Sequence, residues 1–100
     1  VADLPAYVQA ALKGEAERIT SAQIGGRNHA LNKAAYNLGR LTGAGALDPD
    51  TAATVLYEAA AVHFCTGPHA FTPADARATI RSALAAGARN PRTITKGNAA

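Results

Sequence analysis

Gly25-Gly26-Arg27-Asn28-His29-Ala30-Leu31-Asn32-Lys33-Ala34-Ala35-Tyr36-Asn37-Leu38-Gly39-Arg40-Leu41 is the stretch that decides the fold. Leu31, Ala34, Ala35, Leu38 and Leu41 recur at three- and four-residue spacing, which lines one face of an α-helix. The paired glycines break the chain before it, and Asn28 is a good N-cap. Gly43 or Gly45 can take the left-handed conformation that ends a helix. Upstream, Pro5 suits a first helical turn. Val8, Ala11 or Leu12, Ala16 and Ile19 then mark a first helix to about Ser21, which Gly14 weakens by up to ~1 kcal/mol.

The period continues downstream. Asp48-Pro49 starts a third helix, with Asp48 as cap, Pro49 as first residue and Asp50 favourable against the dipole. Its buried face is Ala52, Val55, Leu56 and Ala59, with His63 as a candidate extension, and Cys65-Thr66-Gly67-Pro68 ends it. Thr72-Pro73-Ala74-Asp75 starts a fourth helix, close to a capping box with Asp in place of Glu or Gln. Ala76, Ile80, Ala83 and Leu84 give it an apolar face and Gly87 closes it. Helices two to four are about 15 residues each, roughly 22 Å long. Short connections predict an all-α, compact antiparallel four-helix bundle over residues 1–90, followed by a polar tail or linker over 91–100.

Composition agrees. No stretch alternates with period two, alanine dominates the apolar residues, and 100 residues make one domain. There is no methionine, even at position 1, so the chain is expected to be a segment of a longer protein. The single cysteine, Cys65, forms no internal disulfide and suits a reducing, cytoplasmic setting. No apolar run approaches the ~20 residues of a membrane span, and Val1 to Leu12 carries no signal-peptide pattern.

Charge is segregated. Residues 25–47 hold Arg27, Lys33 and Arg40 and no acid, and residues 76–100 hold Arg77, Arg81, Arg89, Arg92 and Lys96 and no acid. Between them lie Asp48, Asp50, Glu58 and Asp75 without a base. A fold that joins the two basic blocks carries a positive face, the footprint of a polyanion binder; a solvated surface is the plain alternative. Gly25-Gly26 before a helix start lets a ligand approach backbone N–H groups, Arg27 adds a planar fork for phosphate, and Asn28, Asn32 and Lys33 lie within a turn. Arg77 and Arg81 are four apart and share a face, with Ser82, Arg89 and Arg92 beyond; Asp75 and Glu58 are the acids that could neutralise them. Tyr36 lies near the Arg27–Lys33 edge, where it could stack on a base.

Other chemistry is poorly supported. His63, Cys65 and His69 are the only metal-ligand types close together, in an uncommon spacing with a fourth ligand missing, so no metal site is expected. Asp48, Asp50 and Asp75 are explained by capping. Ser21, Ser82 and Cys65 lack the context of a nucleophile, and no Gly-Lys-Thr/Ser follows Gly25-Gly26. No catalytic residue is therefore expected in this segment.

The patterns Gly-Arg-Asn-x-x-Leu-Asn-x-Ala-Ala-Tyr-x-Leu-Gly-x-Leu, Gly-Ala-Leu-Asp and Ala-Arg-Ala-Thr-Ile-Arg-Ser-x-Leu-x-Ala-Gly-x-x-x-Pro-Arg span about Gly26 to Arg92. Together they resemble the helical segment that follows the polymerase core in bifunctional DNA primase/polymerases of plasmids and phages, members of the archaeo-eukaryotic primase superfamily. The resemblance implies a non-catalytic accessory domain that binds single-stranded DNA template, with an initiating nucleotide triphosphate such as ATP as a second candidate ligand. A catalytic domain, and in some parents a helicase domain, would be its partners. Arg27, Asn28 and Asn32 match the first motif, Thr79, Arg81 and Ser82 the second, and Arg92 its end. The stretch from His63 to Phe71 departs from the family's short link. The expected nucleic-acid contacts are Arg27, Asn28, Asn32, Lys33, Arg77, Arg81, Ser82, Arg89 and Arg92. The alternative is a helical protein–protein adaptor that docks the primase core to a helicase or another replication partner.

Overall fold

Four α-helices, α1 (Ala6–Thr20), α2 (Arg27–Gly43), α3 (Pro49–Ala61) and α4 (Pro73–Ala88), form an all-α bundle, with one 3-10 turn, Ile24–Gly26, ahead of α2. The computed structural model describes residues 4–68 and 70–93 and, at Ile24, the backbone alone. Residues 94–100 of the expected tail, and His69 of the His63/Cys65/His69 set, lie outside the described residues.

Two helix starts follow the sequence logic. The Asp48 carboxylate accepts the Thr51 N–H at 3.0 Å, with Pro49 in the first turn. At α4 the Thr72 hydroxyl accepts the Asp75 N–H at 3.1 Å, and the Asp75 carboxylate accepts the Thr72 N–H at 3.1 Å, a complete capping box. The start of α2 differs from expectation. The 3-10 turn runs directly into the helix at Arg27, and Gly26 takes the N-cap position with no side-chain bond. Asn28 therefore lies inside the first turn, and its side chain is available for a tertiary contact. Pro5 stands just before α1 as its N-cap residue.

The helix ends also correct the local reading. Gly45, with φ 79°, is the left-handed residue after α2. The Ala46 N–H bonds to the Leu41 carbonyl and the Gly45 N–H to that of Thr42, each at 3.0 Å, which is a Schellman closure. Gly87 does not stop α4; it is buried inside the helix, and Arg89 is the C-cap residue. Helix α3 ends at Ala61, earlier than the Cys65 stop. There His63 N–H and Phe64 N–H bond back three residues, to Ala60 and Ala61, winding the helix down so that Phe64 can turn inward. His63 thus leaves the helical face. Its Nε2 donates to the Ile19 carbonyl at 2.7 Å and ties this turn to the end of α1.

The core collects Val8 and Ile19 from α1, Leu31, Leu38 and Leu41 from α2, Leu56 from α3 and Ile80 from α4, with small alanines between them. Leu47 and Phe71 are buried from the connections, while Val55 and Leu84 stand half-buried at its edge. The most extensive helix pair is α2 with α4, and it runs parallel, because two reversals separate these helices in the chain. A Cβ on Gly39 would lie 2.5 Å from the Leu84 carbonyl oxygen, one on Gly43 would strike the Ala88 carbonyl, and one on Gly87 would strike that of Tyr36. The two backbones therefore touch along a glycine seam, an approach that any side chain would block.

Candidate nucleic-acid interface

The parallel seam brings the two sequence motifs together. The Thr79 hydroxyl donates to Asn28 Oδ1 at 2.8 Å, across 51 positions of chain. Asn32 is exposed one turn along α2, and Arg77, Arg81 and Ser82 are exposed on α4. Arg89 is exposed at the end of that helix. The fold thus sets Asn28 beside Thr79, with Ser82 on the same side of α4, whereas Arg77 and Arg81, two residues either side of Thr79, lie on the α3-facing side of that helix.

Arg77 and Arg81 form one wall of a groove between α3 and α4 with a volume of about 620 Å³. Asp50 and Glu58 of α3 line the opposite wall, and Ala53, Ile80 and Leu84 lie between. Neither Glu58 nor Asp75 forms an ion pair with these arginines; the one ion pair among the described residues is Arg18 with Glu15 at 2.8 Å. Arg77 instead donates to the Tyr57 hydroxyl at 3.3 Å, with its guanidinium carbon 5.7 Å from the Tyr57 ring centre. Among the described residues, Arg81 makes no side-chain hydrogen bond or ion pair, so its fork faces solvent.

Arg27 is placed differently from the outward phosphate fork expected of it. Its Nη1 donates to the His63 carbonyl at 3.1 Å and to Cys65 Sγ at 3.5 Å, and its guanidinium lies 5.6 Å from the Phe71 ring centre. A half-buried arginine held this way pins the segment between α3 and α4 to the start of α2. That segment closes on itself where the Cys65 N–H bonds to the Phe71 carbonyl at 3.0 Å. Tyr57, Phe64 and Phe71 stack in sequence, with ring centres 5.4 and 5.8 Å apart. Tyr57 of α3 and the segment between α3 and α4 therefore make an aromatic brace with Arg77 on its first ring and Arg27 on its last. The segment's richness in aromatics was the sequence signal for this role.

Neither a protein-family model, nor a curated protein, nor a solved structure matches this chain. The candidate site therefore rests on its own geometry.

The remaining expected contacts sit elsewhere on α2. Lys33 is exposed on the same side as Arg40, seven residues on, and away from the Asn28–Thr79 contact. The chain after α4 folds back to meet this edge: Arg40 Nε donates to the Asn90 carbonyl at 2.9 Å, and the Arg92 N–H bonds to the Arg40 carbonyl at 3.0 Å. Residues 90–92, partly assigned to a polar tail, are thus docked on α2. Tyr36 is half-buried between the two edges.

The expected contacts therefore divide between two edges of α2 and the α3-facing wall of α4, with Arg27 turned inward. Two side chains that matter here were not anticipated. Tyr57 orients Arg77, and Glu15 of α1 is buried. The spacing of Glu15, seven from Val8 and four before Ile19, places it on the buried stripe of α1 and could have revealed it. Among the described residues, no group of three His, Cys, Asp or Glu side chains could hold a metal ion, and no helix is long and apolar enough to cross a membrane.

Proposed function

We propose that this domain is a non-catalytic, cytoplasmic module that binds single-stranded DNA beside a primase–polymerase core during primer synthesis. The observation that carries the reading is the exposed Arg77–Arg81 wall of α4, on which Arg81 makes no side-chain hydrogen bond or ion pair among the described residues. Arginines along one helix wall follow a phosphate backbone and give affinity without sequence choice. Ser82, Asn28 and Asn32, on the α2-facing side, add hydrogen bonds to phosphate or sugar oxygens further along the strand. An initiating nucleotide triphosphate is the second ligand of this reading, with its phosphates on the same arginines.

The test is a titration of a labelled single-stranded oligonucleotide at several salt concentrations, with and without ATP. Arg81→Ala should weaken binding and reduce the slope of log K against log salt by ~0.7, the release expected from one phosphate contact on a single strand. A slope identical to that of the unaltered chain removes Arg81 from the interface. A second reading is favoured by the α3–α4 groove, whose acidic and basic walls flank apolar residues. A helical adaptor would dock a partner helix there. Background affinity for DNA, together with tight association to a primase–polymerase or helicase domain, would select it.

A further inference from the structure

The α3–α4 groove carries acid on one wall and base on the other, and the two walls do not close on each other. Asp50 and Glu58 of α3 and Arg77 and Arg81 of α4 line it, and all four are exposed. Among the described residues, none of the four takes part in an ion pair. Half-buried Ala53 and Leu84 and buried Ile80 lie between the walls. The Arg77–Tyr57 hydrogen bond sets the level of one helix against the other, so Arg77 lies opposite Tyr57 and Glu58. Because α3 and α4 run antiparallel, Arg81 lies one turn further along, toward Asp50.

A face with these walls is complementary to itself. A two-fold axis lying along the groove turns a second copy over, so that its α3 covers α4 of the first at the same level and its α4 covers α3. Glu58 of each copy then meets Arg77 of the other, and Asp50 of each meets Arg81 of the other. The apolar strip meets its own counterpart. An axis across the groove would instead set acid on acid and base on base, which charge repulsion disfavours. A helix from another protein would need both signs of charge at matching spacing, and α3 and α4 of this chain already carry them.

We infer that this face is an interface between two copies of the chain, a two-fold dimer held by reciprocal Glu58–Arg77 and Asp50–Arg81 pairs around an apolar strip. The inference rests on the walls of the groove and not on the DNA reading. It bears on that reading in one respect: the second copy covers the arginine wall, so dimer and strand exclude each other. Exposed ion pairs each contribute little and are screened, so the dimer is weak and loosens as salt rises.

The experiment is sedimentation equilibrium of the whole chain at low salt, without DNA, at concentrations up to about 1 mM, where weak association is still populated. A concentration-dependent dimer is expected. Glu58→Arg and Arg77→Glu should each weaken it about tenfold, because each sets like charges opposite one another at two places. An equimolar mixture of these two variants should recover the dimer, since every pair in the mixed dimer again joins opposite charges. Asp50→Arg with Arg81→Glu forms a second such pair, used if circular dichroism shows that either first variant has lost its helices. A chain that stays monomeric throughout would overturn the assignment and leave the groove to a helix of another protein. A mixture no more dimeric than its separate components would overturn it equally.

Discussion

Replacing Gly87 by alanine sets two effects of opposite sign against each other. In an exposed helix interior the change stabilises by about 0.5–1 kcal/mol, because alanine restricts the unfolded chain. At Gly87 the new methyl group would meet only backbone: the Tyr36 carbonyl, the Arg40 nitrogen at 2.9 Å and the Gly39 Cα at 3.0 Å. Rotamer changes cannot relieve these contacts, so α4 must move away from α2 along the seam. Overpacking of this kind costs typically ~1–3 kcal/mol and here acts on the largest helix contact in the fold. Steric cost should exceed the propensity gain, leaving a net loss of about 1–2 kcal/mol. For a domain of this size each kcal/mol lowers Tm by roughly 4–8 °C, so a fall of about 4–16 °C is expected. Gly14→Ala is the matched control. It lies within α1 with nothing inside 4 Å of the added carbon, and it should raise Tm. Thermal unfolding followed by circular dichroism reads both variants. If Gly87→Ala stabilised the chain as much as Gly14→Ala, the backbone contact between α2 and α4 would be refuted.

Further substitutions separate bracing from binding. Arg27→Ala should lower stability by ~2 kcal/mol, through loss of a charged hydrogen bond to a backbone carbonyl and a ring contact, and should speed amide exchange around Cys65. Unchanged urea stability together with weakened DNA binding would return Arg27 to the phosphate role. Asp48→Ala and Thr72→Ala should each cost ~1 kcal/mol as lost N-caps, measured as a lower urea midpoint with an unchanged m-value. Loss of stability at neither position would contradict the capping geometry.

What could be read from the chain depended on the range of the interaction. Asp48-Pro49 and Thr72-Pro73-x-Asp75 act within one turn, and both caps lie where their residues predict. Leu31, Leu38, Leu41 and Ile80 announced the core through their period. Gly87 misled because glycine near a helix end commonly marks a stop, whereas here its lack of a side chain admits another helix. His63 misled because its spacing fits α3, while the aromatic brace draws Phe64 inward and ends the helix first. Glu15 was hidden by its charge, although its position on α1 faces the core. At the candidate interface, the residue types of Asn28, Arg81 and Ser82 were visible, but not that Arg81 lies on the α3-facing side of α4. The inward turn of Arg27 was not, because its partners at His63 and Cys65 lie 36 and 38 positions away.

The parallel seam also bears on how quickly the domain reaches its working form. Helical bundles usually fold fast because most of their contacts are local. Here Gly39 must find Leu84 and Gly87, and Asn28 must find Thr79 across 51 positions, with all of α3 and its aromatic connection in between. Ordering that intervening loop precedes the reward of the seam, so α2–α4 docking belongs to the late side of the folding barrier. The surface that sets Asn28 beside Thr79 and Ser82 exists only after this step. On a growing or unfolding chain, the residues proposed to grip DNA would therefore remain scattered until the last pair of helices has closed.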